Sequence, residues 1–535
     1  MDPGRGRRRH DLTELNRRPP VTAAPADGTA AEPGENHRPW WIWAVPFAVL
    51  LGVLLVRNRF LFTQKLYEGG DSGANSILIQ RAMHFTLLVG NYSREHFNHP
   101  GPAYLYVQAF GQWLFYYWLH VVPTAWNAQL IAVFVLNSAL AGLAVLVVYG
   151  WTRSLRGAAA ALAIVAVFAA VHPAAVNSGW MPFLYTPMFA VFALAAASVA
   201  AGQVRDGWIL ALTGWFLIHG HACFLFIVPF VVAGVGVILL AAHRHEPAAA
   251  LRRLGRQPGT WVPVLAISVL FLLPIVVNLV LHWPGQFVKY LTYGKSGAAG
   301  GHTAAQIARY TLWFWWPHQH GWLAPLLLFA VALAVTFGLA RGPLRRFLLL
   351  VIVFDVVASV AVGIYAAFGI DTLDAYYIAY FYWAAPFLLL LVVAVGIAQA
   401  LGGWAGTALA AAGAVAALII FAVTPGTVTS IHDNDPMLPR TVAALAARSG
   451  GREVVLSVNV HTTWVDTTGL LVQAERSRVR ACIQQPYWEF MMTSQFICTP
   501  RQVAHGVRFG MDSLNSPGPV IARLRASAVV AESAR

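Results

Sequence analysis

Eleven apolar stretches, separated by short polar turns and two long loops, fill most of this chain between residues 40 and 424. They run over 40–56, 126–150, 157–172, 182–203, 207–220, 222–242, 261–283, 323–340, 347–368, 377–400 and 405–424. An α-helix rises about 1.5 Å per residue, so roughly twenty apolar residues cross a hydrocarbon core of about 30 Å. Inside that core every backbone N–H and C=O must find a partner, and a helix supplies one within its own segment. Of the 535 residues 58% are hydrophobic and 11% charged, where a soluble domain carries about 25% charge. The pattern predicts a mainly α, polytopic membrane protein with about eleven transmembrane helices and a small C-terminal extracytoplasmic α/β domain.

Charge placement sets the topology. A net charge of +14 in a soluble protein would suggest nucleic acid, but these cations sit in an N-terminal tail and in short loops between apolar runs, the pattern of membrane orientation. No nucleic-acid partner is expected. The segment 103–121 is long enough to span, yet Gln108, Gly111 and Gln112 interrupt it and its Trp and Tyr residues suit an interfacial helix. Left at the interface, it places Arg153 and Arg156, Arg205, the Arg244 to Arg256 loop and the Arg341 to Arg346 loop on the side of the N-terminal arginines. The N-terminus is then cytoplasmic, the C-terminal domain lies outside, and the membrane is the plasma membrane.

Residues 1–39 are polar, Arg-rich and without apolar period, hence an expected disordered tail. Residues 40–424 form the expected transmembrane domain, with long outer loops at 57–125 and 284–322. Residues 425–535 return to ordinary charge density, with β-rich runs at 453–459, 479–484 and 520–530 among helical segments. Cys482 and Cys498 lie there, in an oxidising compartment, and are expected to pair. Cys223, within an apolar helix, reads as a packing residue. Trp464, Tyr487 and Trp488 either stack on glycans or pack in a core.

The outer loop 57–125 is unlike a connector. It alternates short amphipathic pieces with glycines and carries Glu68, Asp71, Arg81, His84, Arg94, Glu95, His96 and His99. A second polar intrusion is His219-Gly220-His221. Only 37 residues separate Arg205 from His243, so two short helices must turn tightly there, and both histidines are candidate cavity residues.

A first span, an early acidic residue in the outer loop, the His99-Pro100-Gly101-Pro102 element and an aromatic interfacial helix together resemble the GT-C glycosyltransferases. The Asn177 to Pro182 stretch, with Trp180-Met181-Pro182, is similar to a turn in related bacterial membrane proteins. The resemblance covers about residues 40–424. It implies transfer of a sugar from a polyprenyl-phosphate donor to a cell-envelope glycan or lipid acceptor on the outer membrane face, among membrane lipids. It also implies a first-loop carboxylate near the acceptor, a role that falls to Asp71, with Glu68, Glu95, His99, His219 and His221 as candidate acceptor-binding residues. Glu68 and Asp71 are not adjacent, which weakens a metal-dependent route. A single carboxylate suffices for an inverting, metal-independent transfer by removing a proton from the acceptor hydroxyl. The alternative for Asp71 is an N-cap on the helix beginning near Ser72.

A leaving lipid phosphate needs positive charge. Arg309 is the first candidate, since guanidinium grips phosphate bidentately, and Lys289 is the second. Glycines at 294–301 suggest a mobile loop over the donor. His84, His96, His99 and His318-Gln319-His320 lack the spacing of known metal sites, so no cofactor is expected and a divalent metal is not indicated. Asp355 lies mid-span, where an ionisable group is costly, and is expected to pair with another helix. The rivals to a glycosyltransferase are a transporter or flippase of lipid-linked saccharide, with Asp355 and the histidines along its path, and a non-catalytic envelope assembly protein.

Overall fold

Two successive helices begin where the sequence supplies caps. Thr124 accepts the Asn127 N–H at 3.3 Å and opens a 28-residue helix, and Ser154 accepts the Arg156 N–H at 3.2 Å to open the next. Between them the chain stops at Arg153, whose φ of 48° is left-handed and breaks the helical ladder. The computed structural model describes residues 38–245, 252, 256–295, 300–315, 321–424 and 434–532. Almost all of the tail expected at 1–39 lies outside these residues, as does part of the Arg244 to Arg256 loop.

In chain order the main helices are α1 (Trp41–Arg57), α2 (Gly70–Met83), α3 (Ala103–Gly111), α4 (Ala125–Thr152), α5 (Leu155–Val171), α6 (Pro173–Asn177), α7 (Met181–Ala201), α8 (Gly207–Gly220) and α9 (Phe224–Ala242). They continue as α10 (Pro258–Leu281), α11 (Gly285–Lys295), α12 (Ala304–Trp313), α13 (Leu323–Gly338), α14 (Gly342–Phe368), α15 (Ala384–Leu401) and α16 (Gly403–Val423). A 3-10 segment, Tyr376–Trp383, leads directly into α15.

Every expected span coincides with a helix, but the helices are not equal. Among the described residues seven are long and apolar enough to cross a membrane, while α1, α5 and α13 are shorter apolar helices. Helix α8 has 14 residues and reaches about 21 Å, short of a hydrocarbon core of about 30 Å. Burial separates an inner set from an outer one. Helix α7 is buried along nearly its whole length, whereas α10 buries only Thr260 and Phe271 and leaves Leu265, Val269, Leu270, Leu273, Val276 and Val280 exposed. So large an apolar surface is a liability in water and is covered by lipid. The chain is a multi-pass membrane protein.

The 103–121 segment is a short helix, α3, that runs on as π-helix over Gln112–Trp118. Gln108 and Gln112 face inward, Gln112 accepting from Gln129 Nε2 at 2.8 Å, while Phe110, Trp113, Tyr117 and Trp118 are exposed. Two expectations are corrected here. Cys223 is not inside a helix but at the N-cap of α9. Asp355 is buried in α14, and among the described residues neither carboxylate oxygen has a hydrogen-bond partner, so the expected pairing with another helix is absent.

The C-terminal domain is α/β. Helices α17 (Leu438–Ser449) and α18 (Trp464–Arg476) flank a five-stranded sheet of β1 (Val454–Val458), β2 (Ala481–Ile483), β3 (Val507–Asp512), β4 (Val520–Arg523) and β5 (Ala528–Ala531). The strand order is β2-β1-β3-β5-β4, with β1 parallel to both neighbours and β5 antiparallel to both of its own. Strand β1, VVLSV, is buried on both faces, which explains why four of its five residues are apolar. Cys482 and Cys498 are joined by a disulfide.

This domain is docked against the 57–125 segment through α2 and α18. A Cβ on Gly73 would lie 2.7 Å from Thr468 Oγ1, and one on Gly469 would lie 2.8 Å from the Glu68 carbonyl. Only glycine allows the two helices to approach so closely. Thr468 Oγ1 donates to the Gly70 carbonyl at 3.0 Å, and Arg476 meets the Glu68 carboxylate at 2.6 Å.

Candidate functional site

Where this domain meets the membrane helices, the structure encloses a cavity of about 650 Å³. Its walls come from α2, the 91–99 loop, the start of α7, the α8–α9 turn, α11, the end of α14 and the aromatic stretch 487–491. The volume is that of a ligand site.

Asp71 lies in the first turn of α2, but the N-cap is Gly69, so the capping alternative is corrected. Its carboxylate faces the cavity instead. Trp180 Nε1–H donates to Oδ2 at 2.7 Å, and the Tyr92 hydroxyl donates to Oδ1. Burial first, and the neighbouring Asp71 charge second, push the Tyr92 phenol well above its ordinary range, so it stays a donor. The Trp180 geometry follows from local sequence. Trp180 is the N-cap of α7, Pro182 sits in the first turn, and Ser178 Oγ accepts the Trp180 N–H at 3.1 Å, which fixes how the indole leaves the helix start.

The cation in the cavity wall is Arg94. Its guanidinium meets Asp371, donates to the Tyr377 hydroxyl at 3.2 Å and lies 3.4 Å from Glu95. His99 and His221 lie ring against ring, with centroids 4.2 Å apart and planes tilted by 34°. Burial lowers His221 to about 4, and burial together with His221 lowers His99 well below its ordinary value. Both rings are therefore neutral at neutral pH. Aromatic surfaces complete the enclosure. Trp180 packs on Tyr377 at 5.6 Å from the membrane side, and Tyr487, Trp488 and Phe490 line the cavity from the C-terminal domain.

No family model matches the sequence, and no curated protein matches it. Among solved structures, one that is similar to it can be described. That is the crystal structure of ArnT from Cupriavidus metallidurans in the apo state, with a TM-score of 0.45 and 16% identity over 91% of this chain and 97% of that chain.

The residues singled out in the sequence divide into two groups. Asp71, Glu95, His99 and His221 line the cavity together. Glu68 does not. It is fully buried between α2 and α18, holding Arg476 and the Ser76 hydroxyl at 2.6 Å, so it ties the two parts of the molecule together. His219 does not line the cavity either. Its Nε2 bonds the Phe271 carbonyl at 2.9 Å and its ring lies where a Cβ on Gly101 would stand, 2.4 Å from Nδ1. Arg309 is an exposed residue of α12 outside the cavity wall, because α12 buries Tyr310 and turns its neighbour outward. Lys289 is exposed on α11 and donates to the His96 carbonyl at 3.1 Å, outside the lining.

His318-Gln319-His320 and residues 296–299 of the glycine-rich loop lie outside the described residues. Among the described residues no three His, Cys, Asp or Glu side chains cluster as metal ligands. Residues that gained no role in the sequence are Tyr92, Arg94, Asp371, Tyr377, Tyr290 and Tyr293. The signal was present, since 369–378 puts Asp371 and Asp374 beside Tyr376 and Tyr377. Only folding shows that this short loop meets Arg94.

Proposed function

We propose that this chain transfers a sugar from a polyprenyl-phosphate donor to a cell-envelope acceptor, with Asp71 as the general base. The observation that carries the reading is the Asp71 carboxylate, held by Trp180 and Tyr92 at the edge of a large, aromatic-walled cavity between apolar helices and the C-terminal domain. Two donors fix the carboxylate's orientation and leave lone pairs on each oxygen for an incoming hydroxyl. In the step itself Asp71 takes the acceptor hydroxyl proton, the acceptor oxygen bonds to the anomeric carbon, and the bond to the donor phosphate breaks. The leaving electron pair goes to the phosphate and the configuration inverts. A single carboxylate supplies this chemistry without a metal ion.

The transporter reading drew on Asp355 and the buried histidines. Of these, His221 lines this cavity, and Asp355 and His219 do not. The deciding experiment incubates purified protein with labelled polyprenyl-phosphate sugar and an envelope fraction. Label entering the acceptor with the natural protein and not with Asp71→Asn supports the reading. Label carried across a liposome membrane on intact donor, with none transferred, would replace it by translocation.

A further inference from the structure

The His99 and His221 rings share a feature that their contact alone does not convey. The Ala222 N–H donates to His99 Nδ1 at 3.2 Å, and the Cys223 N–H donates to His221 Nδ1 at 3.2 Å. A ring nitrogen that accepts a hydrogen bond carries no proton, so each neutral imidazole holds its hydrogen on Nε2. The α8–α9 turn thereby sets both tautomers at once. Neither Nε2 has a hydrogen-bond partner among the described residues, and both rings line the cavity. The one guanidinium of the wall among the described residues, that of Arg94, is by contrast already engaged by Asp371, Glu95 and Tyr377.

The same stretch of wall is where apolar surface leads outward. Phe226, five residues after His221 on α9, lines the cavity and is 40% exposed; Phe368, at the end of α14, lines it and is 74% exposed. Both therefore belong to the cavity and to the outer apolar surface of the membrane helices. A ligand lying along them keeps a hydrocarbon tail in lipid while its polar end meets two N–H donors.

We infer that His99 and His221 form a paired Nε2–H site for the phosphate group of a polyprenyl-phosphate lipid whose tail leaves between Phe226 and Phe368. The inference rests on the transferase reading and assigns its leaving group a place. Two donors on neighbouring rings meet two phosphate oxygens. Burial keeps both rings uncharged until the ligand arrives, so they carry no competing ion pair to Asp71, Glu95 or Asp371.

The test measures binding of undecaprenyl phosphate, undecaprenol and inorganic phosphate to the full-length protein in nanodiscs. Asparagine at either position keeps a side-chain oxygen for the turn's N–H but removes the Nε2–H, whereas glutamine restores an N–H near the Nε2 position. His99→Asn and His221→Asn are each expected to weaken undecaprenyl phosphate binding about 10- to 100-fold, the scale of a hydrogen bond to a charged group. The Gln variants should recover most of it, and undecaprenol binding should not change. Unchanged undecaprenyl phosphate affinity in both Asn variants overturns the inference and leaves the transferase reading standing. A natural protein that binds undecaprenol as tightly as its phosphate overturns both. Inorganic phosphate that binds as tightly as the lipid, and is lost in the same variants, overturns the lipid as the source of the phosphate.

Discussion

Trp180 delivers its indole N–H to Asp71 across 109 residues of sequence, from the N-cap of one helix to the first turn of another. The contact joins α7, the most buried of the membrane helices, to α2, the helix on which the C-terminal domain docks. The candidate base is thus positioned by a membrane helix through Trp180 as well as by Tyr92 of its own loop. Asp71→Asn keeps an oxygen for the Trp180 N–H and removes the basic carboxylate. Transfer should fall about 10²- to 10⁴-fold, the usual contribution of general base catalysis, with an unchanged elution profile on size exclusion. Trp180→Phe should lower the rate much less, since the carboxylate survives and loses one of two orienting donors.

The buried pair of Glu68 and Arg476 predicts an asymmetric mutational result. Glu68 is fully buried and the Arg476 side chain is 15% exposed. Arg476→Met strands a buried carboxylate and should cost about 3–5 kcal/mol, whereas replacing both partners with apolar residues should cost much less. Thermal unfolding in detergent reads the difference. Equal loss in the single and double variants would refute the pair's role in docking the domain.

Gly73 makes a second test of the same interface. An alanine there meets the Thr468 hydroxyl at 2.7 Å and its Cβ at 3.0 Å. Gly73→Ala should destabilise the docked domain by about 1–3 kcal/mol, the cost of overpacking. Thr468→Ala in the same chain should restore part of it by opening the space. If the double variant melts below Gly73→Ala, relief of the clash is not the governing effect.

The α2–α18 contact also shows what sequence reading reached and what it missed. Helix positions were legible because apolar runs of this length have one meaning in a membrane, and the C-terminal strands were legible where unbroken apolar runs marked them. Asp71, His99 and His221 stood out as polar residues in apolar or glycine-rich surroundings. Glu68 stood out equally, yet its partner Arg476 lies 408 residues away, and no local pattern distinguishes a buried tie from a binding residue. Arg309 was attractive because it precedes Trp-rich sequence, but which face of α12 it occupies depends on Tyr310 packing against Phe314 and Tyr376. Arg94 stood out in the 57–125 loop but received no role, because the loop of Asp371 and Tyr377, which gives it meaning, is fixed only by tertiary structure.

The buried histidine pair makes stability depend on pH with a definite sign. His221 has a folded value near 4 against about 6.5 unfolded. Between those values the unfolded chain binds more protons, so stability rises with pH. The contribution is full above about pH 6.5 and is lost as pH falls through 4, amounting to about 3 kcal/mol for this ring. His99 shifts in the same direction and adds to the slope. Thermal melting of the natural protein should therefore decline on acidification through this window, and His221→Asn should flatten the decline. A variant with an undiminished acid slope would show that other groups govern it.

Tyr487 offers the clearest probe of what the C-terminal domain contributes to the cavity. It is 56% exposed, lines the cavity and contacts His96 edge-on at 5.2 Å, whereas its neighbour Trp488 is 5% exposed and belongs to the domain core. Removing Trp488 would confound binding with folding, and removing Tyr487 leaves the core intact. An aromatic face beside a sugar ring supplies broad apolar contact worth about 0.5–1.5 kcal/mol beyond its area, which translates to roughly a 2- to 13-fold change in affinity. Tyr487→Ala should accordingly raise the KM for a saccharide acceptor by several-fold while kcat and the KM for the lipid donor stay near their natural values, and Tyr487→Phe should behave like the natural protein because the ring is kept. A rise in donor KM instead would place the lipid, and not the acceptor, against the C-terminal domain, and the two ends of the cavity would have to exchange roles.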